Sequence, residues 1–503
     1  MTSRSTTPQR ELFKPLPQRW TPRPIQKKGM RRLLETQPGF GLLFDPGIGK
    51  TTTTLGAIKV LKREGLRPKV LVIAPIRVMV GVWPDELAKW LDFKDLTYTI
   101  LHGKDKAVNL KLDVDLYLIN PEGLDWLLEP TKVKGKSGKK KIGVDVRRFK
   151  QLGFNVLVVD ELTKFKNHTS DRFKAIKQVL ATFQRRWGLT GSVAANFLEP
   201  LFGQMYILDQ GTALGQYVTH FRSQFFDTGY DGFTYTAKEG AEQQIYARIS
   251  PITLRAAAED HLEMPDLVEN VIKVGLTPEA RRVYAELEKD LIVEVQQKLV
   301  TAKNSGVAAM KLRQVAAGAL YLEPGLGERL AFKRGGKREW LELHEAKLDA
   351  CEDLVEELQG SPVIVTYEFR HDYERLQARL GGKRLLPHIG KGVKLAEGKA
   401  VQDAWNRGEV PVLLAHAQTI ALGLNLQNAG NHLIWYTPTW DYEVYDQCVR
   451  RLRRQGSKHK RIFSHLLVAE GTIDEHVVAS LRAKANCQNE LFGALKKLQR
   501  VYL

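Results

Sequence analysis

The chain has 503 residues, of which 43% are hydrophobic and 26% charged, a composition that excludes a disordered protein and allows two or more packed cores. Lys and Arg outnumber Asp and Glu by 76 to 57, and the net charge of +19 favours a polyanionic partner such as nucleic acid. The three cysteines contain no CxxC pair, which excludes a zinc ribbon. Because no apolar run reaches ~18 residues and the first twenty residues lack a signal-peptide core, we expect a cytoplasmic protein without a membrane partner.

The first half of the chain alternates short apolar runs with amphipathic stretches. The predicted strands are residues 39–44, 69–74, 98–101, 116–120, 155–159 and 187–189. The predicted helices between them are residues 50–63, 83–91 and 171–183. Strands that alternate with helices predict an α/β fold with a parallel sheet covered on both faces.

The same pattern restarts in the second half. Predicted strands are residues 363–366, 412–415, 432–436 and 462–467, and predicted helices are 373–380, 441–451 and 473–483. A less periodic region containing Pro251 and Pro265 separates the halves, and a long helix is predicted from Pro278 to about Ala302. We therefore expect an N-terminal lobe at residues 1–250, a linker at 251–275 and a C-terminal lobe at 276–503.

Two basic, glycine-containing segments have the composition of inserted loops. Residues 131–141 read TKVKGKSGKKK and predict a mobile loop that buries no core, and Gly325–Lys337 is similar. Either segment is a solvated surface loop or a loop that contacts phosphates, and the sequence leaves both interpretations open. Lys139, Lys140 and Lys141 are the candidate contacts.

The segment from Phe44 to Thr51, FDPGIGKT, follows a predicted strand and opens a predicted helix. Gly47 and Gly49 allow backbone N–H groups to turn toward a phosphate, and the helix N-terminus adds a favourable dipole. Lys50 is expected to contact the β- and γ-phosphates of a nucleotide, and the Thr51 hydroxyl to bind Mg²⁺. Phe44 stands where the standard phosphate loop has glycine.

A pair of adjacent acids, Asp160 and Glu161, ends the apolar run Val156–Val159. At the carboxyl end of a strand the chain leaves the sheet, so both carboxylates can reach a ligand above that edge. Asp160 suits Mg²⁺, and Glu161 suits polarising the water that attacks the γ-phosphate. An acidic pair alone is weak evidence, but its position downstream of a phosphate loop in the same alternating unit makes the site prediction strong.

These segments resemble the motifs of superfamily 2 helicases, specifically the Swi/Snf-like branch and its compact phage-encoded versions. The resemblance implies two tandem RecA-like lobes with a cleft between them. Pro24-Ile25-Gln26 resembles the upstream glutamine motif, so Gln26 is expected to bind adenine, and Asp45 lies in the family's D-x-G-x-G-K-T loop. Residues 160–167, DELTKFKN, resemble the D-E-x-x-x-x-K-N motif, and residues 189–196, LTGSVAAN, resemble L-T-G-T-P-x-x-N, which couples ATP state to lobe movement.

The resemblance continues in the second half. Gly423-Leu424-Asn425-Leu426 resembles the G-L-N-L segment near nucleotide and DNA, with Gly423 on the nucleotide and Asn425 on the nucleic acid. Residues 447–456 resemble Q-A-x-x-R-x-x-R-x-G, which makes Arg451 and Arg454 the functional pair and Arg454 the arginine finger. Their spacing of three predicts one helix face, leaving Arg450 and Arg453 to solvent or DNA. The remaining residues implied to contact nucleic acid are Arg77, Lys166, Asn167, Thr190 and Asn196.

Together these features predict an ATP- and Mg²⁺-dependent, nucleic-acid-stimulated ATPase that translocates on DNA, with duplex DNA favoured and a monomer implied by the family. A true unwinding helicase on RNA or single strands is the close alternative. A nucleic-acid-binding protein with a vestigial ATP site is disfavoured by the intact Lys50, Glu161 and Arg454. A small-molecule P-loop kinase is disfavoured by the repeated α/β pattern and the distant arginine pair.

Overall fold

The computed structural model describes residues 18–134, 140–191, 198–229, 235–297, 302–321, 340–382, 384–390, 392–421 and 423–486. The described chain divides into two compact units. Apart from Leu198, the described residues up to Ala257 form the first unit, and those from Ala258 onward form the second. No helix in these ranges is long and apolar enough to cross a membrane.

The first unit contains eleven strands and ten helices within its described ranges. The strands are β1 Gly39–Phe44, β2 Val70–Ile73, β3 Tyr98–Ile100, β4 Leu116–Ile119, β5 Thr131–Lys134, β6 Lys140–Gly143, β7 Val156–Asp160, β8 Arg185–Thr190, β9 Phe226–Thr228, β10 Tyr235–Ala237 and β11 Thr253–Ala256. The helices are α1 Pro24–Glu35, α2 Lys50–Arg63, α3 Trp83–Lys89, α4 Lys106–Asn109, α5 Leu124–Leu128, α6 Val146–Gln151, α7 Asp171–Val179, α8 Leu201–Asp209, α9 Val218–Phe225 and α10 Ala241–Ile249.

Seven of these strands form one sheet in the order β11-β1-β8-β7-β2-β4-β3, and every neighbouring pair is parallel. The central strands are apolar along their whole length, as expected when helices cover both faces of a parallel sheet. All six residues of β1 and all four of β2 and β4 are buried. The carboxyl ends of β1, β8 and β7, which are adjacent, therefore meet at one edge.

The second unit repeats this architecture. Its strands are β12 Asp266–Val274, β13 Ala319–Tyr321, β14 Trp340–Glu342, β15 Val363–Tyr367, β16 His388–Ile389, β17 Val412–His416, β18 His432–Trp435 and β19 Arg461–Ala469. Its helices are α11 Pro278–Gln297, α12 Ala302–Ala316, α13 Ala346–Glu357, α14 Arg370–Gly381, α15 Leu395–Asn406, α16 Ala417–Ile420, α17 Tyr442–Leu452 and α18, described over 473–486.

Six strands of the second unit form a parallel sheet in the order β12-β19-β18-β15-β17-β16. Two apolar clusters pack against it, one containing Trp405 and Trp435 and the other Leu376 and Tyr436. The predicted fold class is confirmed: the chain contains two tandem RecA-like lobes, each a parallel sheet flanked by helices. We call the two units the first and second lobe.

Several predicted elements differ from the structure. The segment 131–141, predicted as a loop, contributes to the antiparallel pair β5 and β6, because Thr131–Lys134 finds backbone partners in Lys140–Gly143. In the region 251–275, predicted as a linker, β11 pairs with β1 and β12 pairs with β19. The predicted helix 278–302 corresponds to α11 over Pro278–Gln297, residues 298–301 lie outside the described residues, and α12 begins at Ala302. Gly325–Lys337 lies outside the described residues.

Candidate functional site

The carboxyl edge formed by β1, β8 and β7 brings together the predicted residues of the first lobe. The phosphate loop follows β1, Thr190 ends β8, and Asp160 ends β7 with Glu161 directly after it. A Cβ on Gly191, which follows β8, would lie 3.2 Å from Pro46 Cδ of the loop. The loop, the acids and the end of β8 are therefore neighbours at the edge where open parallel sheets bind ligands.

The phosphate loop has a backbone that only glycine adopts without strain. Gly47 and Gly49 have φ of 94° and 93°, in the left-handed region that side chains disfavour. A Cβ on Gly49 would also lie 2.4 Å from Gln26 Nε2, so space as well as φ requires glycine there. α2 begins at Lys50, and Lys50 Nζ donates to Phe44 O at 2.7 Å. The loop thus presents a helix N-terminus and an ammonium group, which together suit a phosphate.

Gln26 links α1 to this loop. Its side chain is buried, and Nε2 donates to Ile48 O at 2.9 Å while Oε1 accepts from Arg23 N at 2.8 Å. The Nε2 end of the amide therefore fixes the loop against α1, and the Oε1 end caps the start of that helix. The adenine contact assigned to Gln26 stays a prediction.

The two acids are held by side chains from other segments. Glu161 Oε1 accepts from Thr190 Oγ1 at 2.6 Å and from Thr163 Oγ1 at 3.0 Å. Asp160 Oδ2 accepts from the Trp83 indole Nε1 at 2.8 Å. Glu161 also has a φ of 87°, a costly conformation for a residue with a side chain and one that concentrates at functional sites. The carboxylates are thus oriented before any ligand binds.

Burial controls the protonation of this acidic pair. Desolvation raises the pKa of Asp160 and the pKa of Glu161, and the charge of Asp160 raises the pKa of Glu161 further. The Lys50 ammonium acts in the opposite direction on the pKa of both groups. Lys50 is therefore close enough to interact with both carboxyl groups, as a site for an anionic substrate requires.

The oxygen donors at this edge fit a magnesium ion. Asp160 supplies a carboxylate, and Thr51, in the first turn of α2, supplies a partly exposed hydroxyl. Mg²⁺ binds through one or two protein oxygens together with substrate phosphates rather than in an all-protein cage. Within the described ranges no group of three or more His, Cys, Asp or Glu forms a metal site.

A buried ion pair anchors the phosphate loop to β11. Arg255, on β11, lies 2.8 Å from Asp45 Oδ1 through Nη2, and the two side chains are 6% and 1% exposed. Arg255 also donates to Leu43 O at 2.9 Å. The sequence reasoning missed this residue because it lies in the segment predicted as a linker. Asp45 thus anchors the loop through Arg255, and the nucleotide contact assigned to Asp45 stays a prediction.

The residues predicted to contact nucleic acid in the first lobe lie in different environments. Arg77 is half-buried, and desolvation lowers its pKa. Lys166 is half-buried, and Asn167 is exposed with its Oδ1 accepting from Thr169 Oγ1 at 2.7 Å. Thr190 is fully buried against Glu161, so its hydroxyl contacts the acid instead of facing a polymer.

The remaining candidates of the first lobe are described only in part. Asn196 and Lys139 lie outside the described residues. Lys140 and Lys141 lie in β6, where the structure describes the backbone of the strand. A phosphate contact by this hairpin stays a prediction.

In the second lobe the structure brings Gly423, Asn425, Arg451 and Arg454 together. Arg451 donates to Leu424 O at 3.2 Å and also to Ala421 O, so it bridges the turn that contains Gly423, whose φ is 77°. Arg454 Nη1 donates to the side-chain Oδ1 of Asn425. The G-L-N-L segment and the arginine pair therefore form one cluster.

The predicted helix face shared by Arg451 and Arg454 is wrong. α17 ends at Leu452, so Arg451 lies in the helix and Arg454 beyond its end, and the two do not share a helix face. Arg450 and Arg453 do not simply meet solvent, because Arg450 Nε donates to Asp446 at 2.8 Å and Arg453 Nη1 donates to Glu259 at 2.7 Å. The i,i+4 spacing of Asp446 and Arg450 is visible in the sequence, whereas Glu259 is 194 residues from Arg453 and could not be read from a local pattern.

Three relatives resemble the chain over most of its length. It is 30% identical over 495 residues to putative protein p41 of Acyrthosiphon pisum secondary endosymbiont phage 1, covering 95% of this chain and 99% of that protein. It is 24% identical over 488 residues to the putative ATP-dependent helicase/translocase YwqA of Bacillus subtilis, covering 94% of this chain and 49% of that protein. It is also 24% identical over 488 residues to the chromatin-remodeling factor PICKLE of Arabidopsis thaliana, covering 90% of this chain and 33% of that protein. The chain spans nearly all of the phage relative, but half or less of the two cellular relatives.

Two protein families match the chain in the order of its lobes. The SNF2-related domain matches residues 25–320, and the helicase conserved C-terminal domain matches residues 346–456. These regions contain the phosphate loop, the acidic pair and the arginine cluster described above. The chain belongs to the SNF2 family of helicase-like ATPases.

Proposed function

We propose that this SNF2-family ATPase is a translocase that couples ATP hydrolysis to movement along nucleic acid, with duplex DNA as its track. The observation that carries the proposal is the convergence of Lys50, Asp160 and Glu161 at one sheet edge, with each acid held by a hydrogen bond from another segment. A vestigial site would have no reason to keep Glu161 in a strained conformation beside two hydroxyl donors.

In this mechanism each residue of the first lobe has a separate task. Lys50 and the turned backbone of the loop hold the β- and γ-phosphates of ATP. Thr51 and Asp160 would hold Mg²⁺, which would neutralise charge on the phosphate oxygens. Glu161 orients and polarises the attacking water, and its bonds to Thr190 and Thr163 fix the carboxylate in place.

In the second lobe, Arg454 stabilises the charge that develops on the γ-phosphate, and Arg451 holds the turn containing Gly423. Arg454 is bound to the exposed side chain of Asn425, an interaction that costs little to exchange for a phosphate. Arg77, Lys166 and Asn167, with the basic hairpin of β5 and β6, are the proposed contacts to the polymer backbone.

The choice of duplex DNA is supported by the relatives and by charge. YwqA is named a helicase/translocase and PICKLE a chromatin-remodeling factor, and the net charge of +19 suits a polyanion. A grip on phosphates predicts little sequence preference and a steep dependence on salt. The phage relative supports action in a bacterial host's cytoplasm.

ATP turnover measured without polymer and then with single-stranded DNA, duplex DNA and RNA tests the proposal. We expect duplex DNA to give the largest stimulation, and Lys50→Ala to abolish turnover while duplex binding remains. If RNA or single-stranded DNA gives the strongest stimulation, that polymer replaces duplex DNA as the one along which the protein moves. Turnover that no polymer increases would refute the proposed function.

A further inference from the structure

The helix that follows β2 contains a widened turn. Residues 76 and 77 are α-helical, Val78–Val82 form a π-helical turn, and α3 continues from Trp83. The backbone N–H of Trp83 donates to Val78 O, five residues earlier, and this bond closes the turn. Because a π turn holds an extra residue, it rotates the following side chains about the helix axis. Turns of this kind are rare and are frequently found at functional sites.

Trp83 uses the resulting orientation to reach the acidic pair. Its side chain is fully buried, and its indole Nε1 donates to Asp160 Oδ2 at 2.8 Å across 77 residues of sequence. The indole N–H is the one hydrogen-bond donor of this side chain. The same residue therefore closes the π turn with its backbone and holds the proposed magnesium ligand with its ring.

The residue at the other end of the π turn is a proposed contact to a different ligand. Arg77 directly precedes the turn, is half-buried and is a proposed contact to the polymer backbone. A Cβ on Gly81, within the turn, would meet open space, so the turn is not closely packed at this position. One helical turn thus separates a guanidinium that can attract a phosphate from the indole that binds Asp160.

We propose that Trp83 is a positioning residue that transmits nucleic-acid binding at Arg77 to the Asp160 carboxylate, so that the polymer stimulates ATP turnover through this indole. A phosphate bound by Arg77 shifts the π turn, and Trp83 carries the shift to Asp160 through its N–H. The inference rests on the proposed function, because it explains stimulation by a polymer. A merely structural indole would fill space and satisfy its own donor without affecting that stimulation.

The test compares Trp83→Phe with Trp90→Phe. Phenylalanine keeps an aromatic ring but removes the N–H. Trp90 is a matched control in the same segment, since its Nε1 also donates to a carboxylate, that of Glu86, at 2.7 Å. The quantities measured are the affinity for duplex DNA and the ratio of ATP turnover at saturating duplex to turnover without it.

We expect Trp83→Phe to lower this ratio by about tenfold, the effect of losing one hydrogen bond to a charged group, and Trp90→Phe to leave it within about twofold. Unchanged duplex affinity in both variants is also expected. A ratio in Trp83→Phe equal to that of the wild type would overturn the inference, as would a reduced ratio that more duplex restores. A wild-type ratio near one refutes the proposed function instead, so the two failures are distinguishable.

A second measurement uses the wild-type chain and does not depend on a variant's activity. In protein with ¹⁵N-labelled indoles, duplex added without nucleotide is expected to shift the Nε1–H resonance of Trp83, assigned by its loss in Trp83→Phe or, if that variant does not fold, in Trp83→Tyr. The resonance of Trp90 serves as the reference. A Trp83 resonance that duplex leaves unmoved, in protein that binds the duplex, contradicts the inference.

Discussion

The acidic pair of the first lobe and the arginine cluster of the second are held in different ways. Asp160 and Glu161 accept hydrogen bonds from the buried side chains of Trp83 and Thr190, which come from distant segments. Arg454 donates to the exposed Asn425. Buried donors fix the acids before substrate binds, whereas a partly exposed guanidinium can change partner at low cost. The comparison indicates a preorganised acidic pair and an adjustable arginine cluster.

The largest effect is expected from a change in the arginine cluster, which is the adjustable side of the comparison. Arg454→Ala should lower the single-turnover rate of ATP hydrolysis by about 10³- to 10⁵-fold, the contribution typical of an arginine finger. Arg450→Ala is the matched control, because its guanidinium is bound to Asp446 in the same cluster, and we expect a far smaller loss. Equal losses in both variants would show that Arg454 has no special role.

On the preorganised side, Glu161→Gln should reduce turnover by about 10²- to 10⁴-fold while nucleotide binding remains. The amide oxygen of glutamine can still accept from Thr190 and Thr163, so the geometry is kept and only the basic group is lost. Turnover is measured beside nucleotide affinity by calorimetry. A variant that keeps wild-type turnover would exclude Glu161 as the residue that activates water.

The anchoring of the phosphate loop can be broken without touching the acids. Arg255→Leu leaves the Asp45 carboxylate buried without its ion-pair partner, so we expect a loss of about 3–5 kcal/mol in the free energy of unfolding of the first lobe. Arg31→Leu, which breaks the exposed pair with Glu35, should cause no measurable change in urea unfolding. Adding Asp45→Asn to Arg255→Leu should recover part of the loss, and the absence of recovery would argue against the ion pair as its cause.

The last expected effect concerns the stability of the second lobe at acid pH. Burial lowers the pKa of His388 and the pKa of His465 to about 4, whereas an unfolded histidine titrates near ~6.5. Below that pH the unfolded chain binds protons that the folded chain does not, so stability should fall between about pH 6.5 and about pH 4. Above that range these two histidines should contribute no dependence of stability on pH.

Thermal unfolding midpoints measured from pH 4 to pH 8 check this expectation. The double variant His388→Gln and His465→Gln should show a shallower loss at acid pH than the wild type. The exposed His220→Gln is the control and should keep the wild-type slope. An unchanged slope in the double variant would mean that other groups cause the acid sensitivity.

Local patterns in the sequence predicted the elements that carry the nucleotide site. β1 and α2 have the predicted bounds, because an apolar run and a helix beginning after glycine are encoded locally. The contacts that orient the site were not predictable in this way. Trp83 and Asp160 are 77 residues apart, and Arg255 reaches Asp45 only because β11 pairs with β1. Such pairs depend on strand order, which periodicity does not specify.

The arginine cluster shows a second reason why some features of the site could not be predicted from the sequence. The spacing of Arg451 and Arg454 fits a helix face, but α17 ends between them at Leu452. A helix end depends on the contacts of its last turn, and Arg453 donates there to Pro265 O and Glu259. Those partners lie between β11 and β12, where the sequence showed little periodicity.

The proposed motor activity is tested most directly by ATP-dependent displacement of a third DNA strand from a duplex. We predict that the wild type displaces the strand only with ATP and Mg²⁺, and that Glu161→Gln binds the duplex but leaves the strand in place. Turnover that duplex DNA stimulates without any displacement of the strand would contradict movement along DNA.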